Sequence, residues 1–174
     1  MAPISPDNTP RFRIKYSVTG HDHDFQIRST NSPSAIGAFV DSFLTPLISL
    51  LYGVTITSVE HAATGSNVFL PVTSGIEGNV YGGPGGSIGE VPWNIDFAGR
   101  SAGGRKWRLA VFGMKSLAGD YKFLPGENTP VDNAIAALQT RSPGDLLGID
   151  ATEVTVYSYA NAGVNAHWQR ALRP

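Results

Sequence analysis

Apolar and polar residues alternate without a break from Arg11 to Val18. Phe12, Ile14, Tyr16 and Val18 make one side, and Arg11, Arg13, Lys15 and Ser17 the other. A period of two is the mark of a strand with one buried face. Gly20 to Asp24 reads as a turn, and Asp24 to Ser29 as a returning strand with Phe25 and Ile27 inward, so the segment predicts a hairpin. The period then changes. Ser32-Pro33 offers a capping hydroxyl followed by a proline at the first helical position, where its missing N–H costs nothing. Ile36, Phe39, Val40, Phe43, Leu47, Ile48 and Leu51 recur at helical spacing. Pro46 should kink this helix or split it after Leu44. Gly53 reads as its stop, and residues 54 to 60 as a third strand.

The same order returns in the second half. Trp93 to Gly99 reads as a strand with Ile95 and Phe97 on one face, and Ser101 to Gly104 as a turn whose two glycines suit a tight hairpin. Residues 105 to 113 return with Trp107, Leu109 and Val111 facing one way. Thr129-Pro130 opens a second helix with an apolar stripe of Val131, Ala134, Ile135 and Leu138, and Ala151 to Tyr159 is the last strand. The third strands share letters: Val54-Thr55-Ile56-Thr57-Ser58-Val59 stands against Val154-Thr155-Val156-Tyr157-Ser158-Tyr159. The expected class is α+β. Two pseudo-repeated strand-strand-helix-strand units would form one antiparallel-rich sheet system with two helices packed on it. The offsets drift: the third strands lie 100 residues apart and the helix starts 97, which requires insertions at 116–128 and 141–150.

At 174 residues the chain predicts one domain. An extended arm, 1–10, precedes the first unit, 11–63. A Gly-rich loop region, 64–92, leads to the second unit, 93–160, and a C-terminal tail, 161–174. The three prolines of the arm forbid helix, leaving either a frayed terminus or an arm that orders on a neighbouring subunit. A loop as long as 64–92 is usually functional or disordered, and a flexible or partner-ordered segment is expected there.

Composition narrows the function classes. Charged residues make up only 16%, and the net charge is −1, which argues against bulk electrostatic binding of nucleic acid. With no cysteine, disulfides, thiolate chemistry and Cys-based zinc sites are excluded. Met1 to Pro10 has neither a basic nor an apolar leader pattern, so no secretory signal is expected. The apolar stretch from Ile36 to Leu51 is interrupted by polar residues and reads as too short to span a bilayer.

Candidate chemistry is sparse. His21-Asp22-His23-Asp24 has metal-ligand residue types at alternate positions, but it falls in the expected turn, and His61 and His167 are remote in sequence. Gly85-Gly86-Ser87-Ile88-Gly89-Glu90 lacks the lysine and the following helix of a phosphate loop. Nothing positions a nucleophilic triad: Gly85-Gly86-Ser87-Ile88-Gly89 has the letters of a Gly-x-Ser-x-Gly elbow, but a strand follows it where an elbow needs a helix, and there is no evident carboxylate pair. Arg11, Arg13 and Lys15 cluster around the first hairpin, and Arg100, Arg105, Lys106 and Arg108 around the second. Each cluster is either the solvent face of a half-buried sheet or a surface for an acidic partner. Trp168-Gln169-Arg170 joins an aromatic to a guanidinium, as interface anchors do; the alternative is that Trp168 packs on its own core.

The run Phe97-Ala98-Gly99-Arg100-Ser101-Ala102-Gly103-Gly104-Arg105, with Arg108 and Val111-Phe112-Gly113, resembles a pattern in small proteins of environmental tailed bacteriophages. The ending Tyr159-Ala160-Asn161, then Asn165-Ala166-His167-Trp168-Gln169-Arg170, is similar to that of the same group. The resemblance covers about residues 95–113 and 154–170 and brings no catalytic motif. It implies a virion structural protein, made in the host cytoplasm, of the capsid cement or decoration kind. Such a protein would be a homo-oligomer bound to the major capsid protein, with no catalytic role, cofactor, metal, nucleic acid, membrane or small-molecule substrate. Trp168, Arg170, Arg105, Trp107 and Arg100 are the expected interface residues. A tail-tube, head-tail connector or other tail component is one alternative. A small metal-assisted hydrolase using His21, His23 and His61 is another, of a different class.

Overall fold

The inward positions of the first alternating run are all buried: Phe12, Ile14, Tyr16 and Val18. They belong to β1 (Arg11–Val18), which pairs antiparallel with β2 (His21–Arg28). The computed structural model describes residues 10–18, 20–84, 93–100, 106–114, 128–140, 150–158 and 166–171. Val18 lies directly opposite His21, so the hairpin reverses between them and not over residues 20–24. Gly20, at φ 81°, supplies the left-handed residue this tight reversal needs. The HDHD run is therefore strand, not turn.

Ser32 caps α1 (Pro33–Leu44), its hydroxyl accepting a hydrogen bond from the Ala35 N–H. The split expected at Pro46 is present: α1 gives way to a 3-10 helix, Thr45–Leu50. The shorter repeat changes which side chains face inward. Leu47 and Leu50 are buried, whereas Ile48, placed in the apolar stripe by helical spacing, is 48% exposed. By length and composition the segment Pro33–Leu50 is sufficient to cross a membrane. Here Ile36, Phe39, Val40, Phe43, Leu44, Leu47 and Leu50 are buried in the protein's own core.

Chain reversal after the 3-10 helix leads to β3 (Val54–Ala62), which pairs with the free side of β1. Two short strands then cap the outer edge of β3. β4 (Leu70–Val72) pairs with Val59–His61, and β5 (Val80–Tyr81) with Val54–Thr55. The first sheet thus has the order β2-β1-β3-β4, with β5 also on β3. A second sheet has the order β7-β6-β8-β9, from β6 (Trp93–Arg100), β7 (Lys106–Met114), β8 (Asp150–Ser158) and β9 (Ala166–Ala171). All pairings in both sheets are antiparallel. The class is α+β, with the strands divided between two sheets whose outer strands β2 and β7 approach each other.

One buried cluster joins the inner face of the first sheet, α1, the 3-10 helix and α2 (Asn128–Thr140). The whole expected stripe of α2, Val131, Ala134, Ile135 and Leu138, lies in it. Each large side chain fully buried there stabilises the fold by about 1.5–3 kcal/mol.

The segment after β3 departs from the loop expected at 64–92. Its described part is fastened to the core at several points. Ile76 and Tyr81 are buried, and backbone bonds link Gly78 and Asn79 to Ile56. Gly37 of α1 lies against the Ser74 carbonyl so closely that a Cβ there would collide with it. Gly82, at φ 87°, packs in the same way on the Leu51 carbonyl. Glu77 closes the turn, its carboxylate accepting from the Ser74 N–H (2.7 Å), the Ser74 hydroxyl (2.8 Å) and the Gly75 N–H (2.9 Å). Burial pushes the Glu77 pKa up, but these donors outweigh it and hold the carboxyl below its ordinary value. Residues 85–92 lie outside the described set.

Candidate interaction surface

Strand alternation gives the first sheet an outer face made of Arg11, Arg13, Lys15 and Ser17 on β1, the paired positions Arg28, Gln26, Asp24 and Asp22 on β2, and Glu60 and Ser58 on β3. Its central charges, Arg13, Lys15 and Glu60, are matched to one another. Glu60, 8% exposed, takes Arg13 on one carboxylate oxygen (Nε at 2.6 Å) and Lys15 Nζ on the other (3.0 Å). Burial alone would raise the Glu60 pKa; hydrogen bonds and charge from Lys15 and Arg13 outweigh it, and the carboxyl titrates below its usual range. Arg11 donates to the Ser66 carbonyl (3.0 Å) and to Asn67 Oδ1 (2.7 Å). The Phe69 ring lies 4.4 Å from the Arg13 guanidinium and 5.3 Å from that of Arg11. The basic cluster of the first hairpin thus holds its own sheet and the 66–69 loop together, which leaves little of it for an acidic partner.

At the β1–β3 bulge, Lys15 pairs with Ser58 and Tyr16 with Ile56, so Thr57 is the extra residue. Beside it lies an open depression of about 560 Å³ lined by Lys15, Asp22, His23, Asp24, Thr57 and Ser58. The three histidines of the hydrolase alternative do not converge. His21 and His23 stand opposite Val18 and Tyr16, while His61 stands opposite Phe12 at the other end of β1. His23 packs against Tyr16 (ring centroids 5.6 Å) and His61 against Phe12 (4.7 Å). Burial, and then the charge of His21, lowers the His23 pKa. Among the described residues no group of three His, Asp or Glu side chains is placed to hold a metal.

The rim of the first sheet is different in character. Leu70 (63% exposed) on β4, Val80 (54%) on β5 and Val68 (65%), two residues before β4, stand out along the edge that caps β3. The Val68 N–H bonds to Ser66 Oγ (3.1 Å), and Arg11 fixes Ser66 and Asn67, so Val68 and Leu70 are held out on an anchored segment, while Val80 stands at the other end of β3, opposite Thr55. Searches against known protein families, curated proteins and solved structures find no match.

Of the residues the sequence singled out, four lie on strands of the second sheet. Arg100 of β6 is in register with Lys106 of β7 and Asp150 of β8, and Trp107 of β7 with Gly99. Trp168 and Arg170 are not on a free tail. They belong to β9, opposite Val156 and Val154 of β8. These positions continue the cross-strand rows of Ile95 with Val111 and of Phe97 with Leu109. Arg105 lies outside the described residues. Sequence reasoning missed the rim and Glu60. The readable signal was Val68-Phe69-Leu70-Pro71-Val72, an apolar run inside a polar loop.

Proposed function

We propose that this chain is a structural protein of a bacteriophage virion, an oligomeric capsid cement or decoration protein that binds the major capsid protein. The observation that carries the reading is the contrast on the first sheet. At the centre of its outer face Arg13 and Lys15 are matched to Glu60, while Val68, Leu70 and Val80 are presented bare along its rim. Exposed apolar groups held on a fixed segment mark a contact surface for protein. The likeness of residues 95–113 and 154–170 to small proteins of tailed phages points the same way. In this reading Trp168, Arg170, Trp107, Arg100 and Arg105 contribute a second contact region from the other sheet.

The test is quantitative mass spectrometry of gradient-purified virions of the phage that encodes the chain. A cement or decoration role requires a copy number in fixed proportion to the major capsid protein, and particles lacking the chain that rupture at lower temperature. Absence from purified virions would refute it. A few copies per particle, in a ring, would move the chain to the tail or connector.

A further inference from the structure

We propose that the depression at the β1–β3 bulge is a binding site for a carbohydrate, which it holds by hydrogen bonds and does not chemically change. The proposal does not rest on the virion role, and it concerns a different surface from the rim.

Three strands build the site. Lys15 of β1, Asp24 of β2 and Ser58 of β3 stand in one cross-strand row. Asp22 follows two positions along β2, on the same face, and Thr57 is the extra residue of the bulge. Lys15 Nζ is drawn to Glu60 Oε1 (3.0 Å), along the sheet toward Arg13, and the next residue of β1 on that face is only Ser17. The floor is therefore low, and a space of about 560 Å³ stays open between the β2 and β3 walls. Those walls are two strand spacings apart, about 10 Å. That leaves room for one sugar ring with a hydrogen bond of about 2.8 Å on either side.

A gap in the cover of β3 is a second, separate feature. β4 covers its outer edge from His61 to Val59, β5 covers Val54 and Thr55, and Gly78 and Asn79 bond Ile56. Thr57 lies between these covers, and its place in the bulge gives it no register partner on β1 among the described residues. Its backbone groups are free to serve a ligand, where those of a regular strand would be spent on the ladder.

The mixture of groups selects the ligand class. Asp22 and Asp24 accept hydrogen bonds, Lys15 donates, and Thr57 and Ser58 do both. The hydroxyls of a sugar donate and accept in the same way. An anion would meet two carboxylates, and an apolar ligand would strip water from charged groups. A metal ion would lack ligands, since among the described residues no group of three His, Asp or Glu side chains is placed to hold one.

The test is a nuclear magnetic resonance titration of the ¹⁵N-labelled full chain with glucose, galactose, mannose and N-acetylglucosamine, each alone. The expected result is saturable shifts at the amides of Asp22, Asp24, Thr57 and Ser58 with at least one of these sugars. Asp24→Asn should weaken that binding by about tenfold, the worth of one hydrogen bond to a charged group. Thr57→Val, which keeps the shape and removes the hydroxyl, should weaken it by less. Asp22, Asp24 and Thr57 are exposed, so both variants should keep the wild-type melt. If Thr57→Val unfolds the chain, Ser58→Ala reads the same wall. No shift with any of the four sugars, shifts elsewhere, or binding unaltered in the variants overturns the proposal. Shifts at these amides with L-arginine and with none of the sugars would give the depression to a basic partner and overturn it equally.

Discussion

The two sheets share a strand order and differ at their edges. In each, the second hairpin strand is outermost, the first hairpin strand is next to it, the strand after the helix follows, and a later segment closes the far side. In the first sheet that closing segment is a pair of strands of three and two residues, one containing Pro71, with Val68, Leu70 and Val80 exposed around them. In the second it is a single strand of six residues carrying Trp168 and Arg170. Short, proline-bearing edges resist open-ended strand pairing. Under the proposed role, contact at such a rim would go through side chains, whereas the longer β9 edge offers backbone as well. The common order makes the scaffold, and the unlike edges are where the two halves would meet different partners.

Substitutions that break this comparison rank by how firmly each group holds the rim. Gly82→Ala should have the largest effect. It forces a Cβ onto the Leu51 carbonyl at a positive φ, and about 3 kcal/mol should be lost in a denaturant melt. The rim would loosen while β1–β2 pairing survives.

Glu60→Gln comes next. It leaves Arg13 and Lys15 without a counter-charge beneath Phe69 and should cost about 2 kcal/mol at neutral pH. The folded pKa of Glu60 is depressed, so its contribution is complete above the ordinary value of 4.5 and disappears as pH falls through the lower folded value. Wild type should therefore lose stability on acidification below pH 4.5 more steeply than the Gln variant. Parallel curves would show that the Glu60 cluster is not a source of stability.

Tyr81→Phe should cost about 1 kcal/mol, because the Tyr81 hydroxyl donates to Asp41 Oδ1 (2.8 Å) and ties β5 to α1. Burial, with the nearby Asp41 charge, pushes the Tyr81 pKa up to about 12. An ultraviolet pH titration should show a late-ionising tyrosine signal that the variant loses. Leu70→Ser should have the smallest effect on the isolated fold, within about 0.5 kcal/mol, yet weaken self-association in sedimentation velocity. If it instead unfolds the chain, the rim is core and the comparison fails.

Much of the fold was legible because burial was one-sided. Phe12 to Val18 announced β1, Ser32-Pro33 the cap of α1, Pro46 the break after Leu44, and Val131 to Leu138 the buried stripe of α2. The HDHD strand was not legible as strand because its inward positions are His21 and His23. Polar rings there erase the apolar alternation, although the packing of His23 on Tyr16 keeps the register. Strands β4 and β5 were hidden by their length, since two or three residues carry no period. β9 was hidden because its alternation, Ala166-His167-Trp168-Gln169-Arg170-Ala171, is only weakly apolar. The rim could not be read from periodicity at all, because it depends on which segment returns to the edge of β3.

Hydrogen exchange on the chain, free and bound to purified virions, most directly tests the proposal that the rim, and not the outer face, makes the contact. The expected result is new protection of the amides of Val68, Phe69, Leu70 and Val72, with β2 amides such as Asp24 and Gln26 unchanged. Protection confined to β2, with residues 68–72 exchanging as in the free chain, would contradict the assignment of contact to the rim.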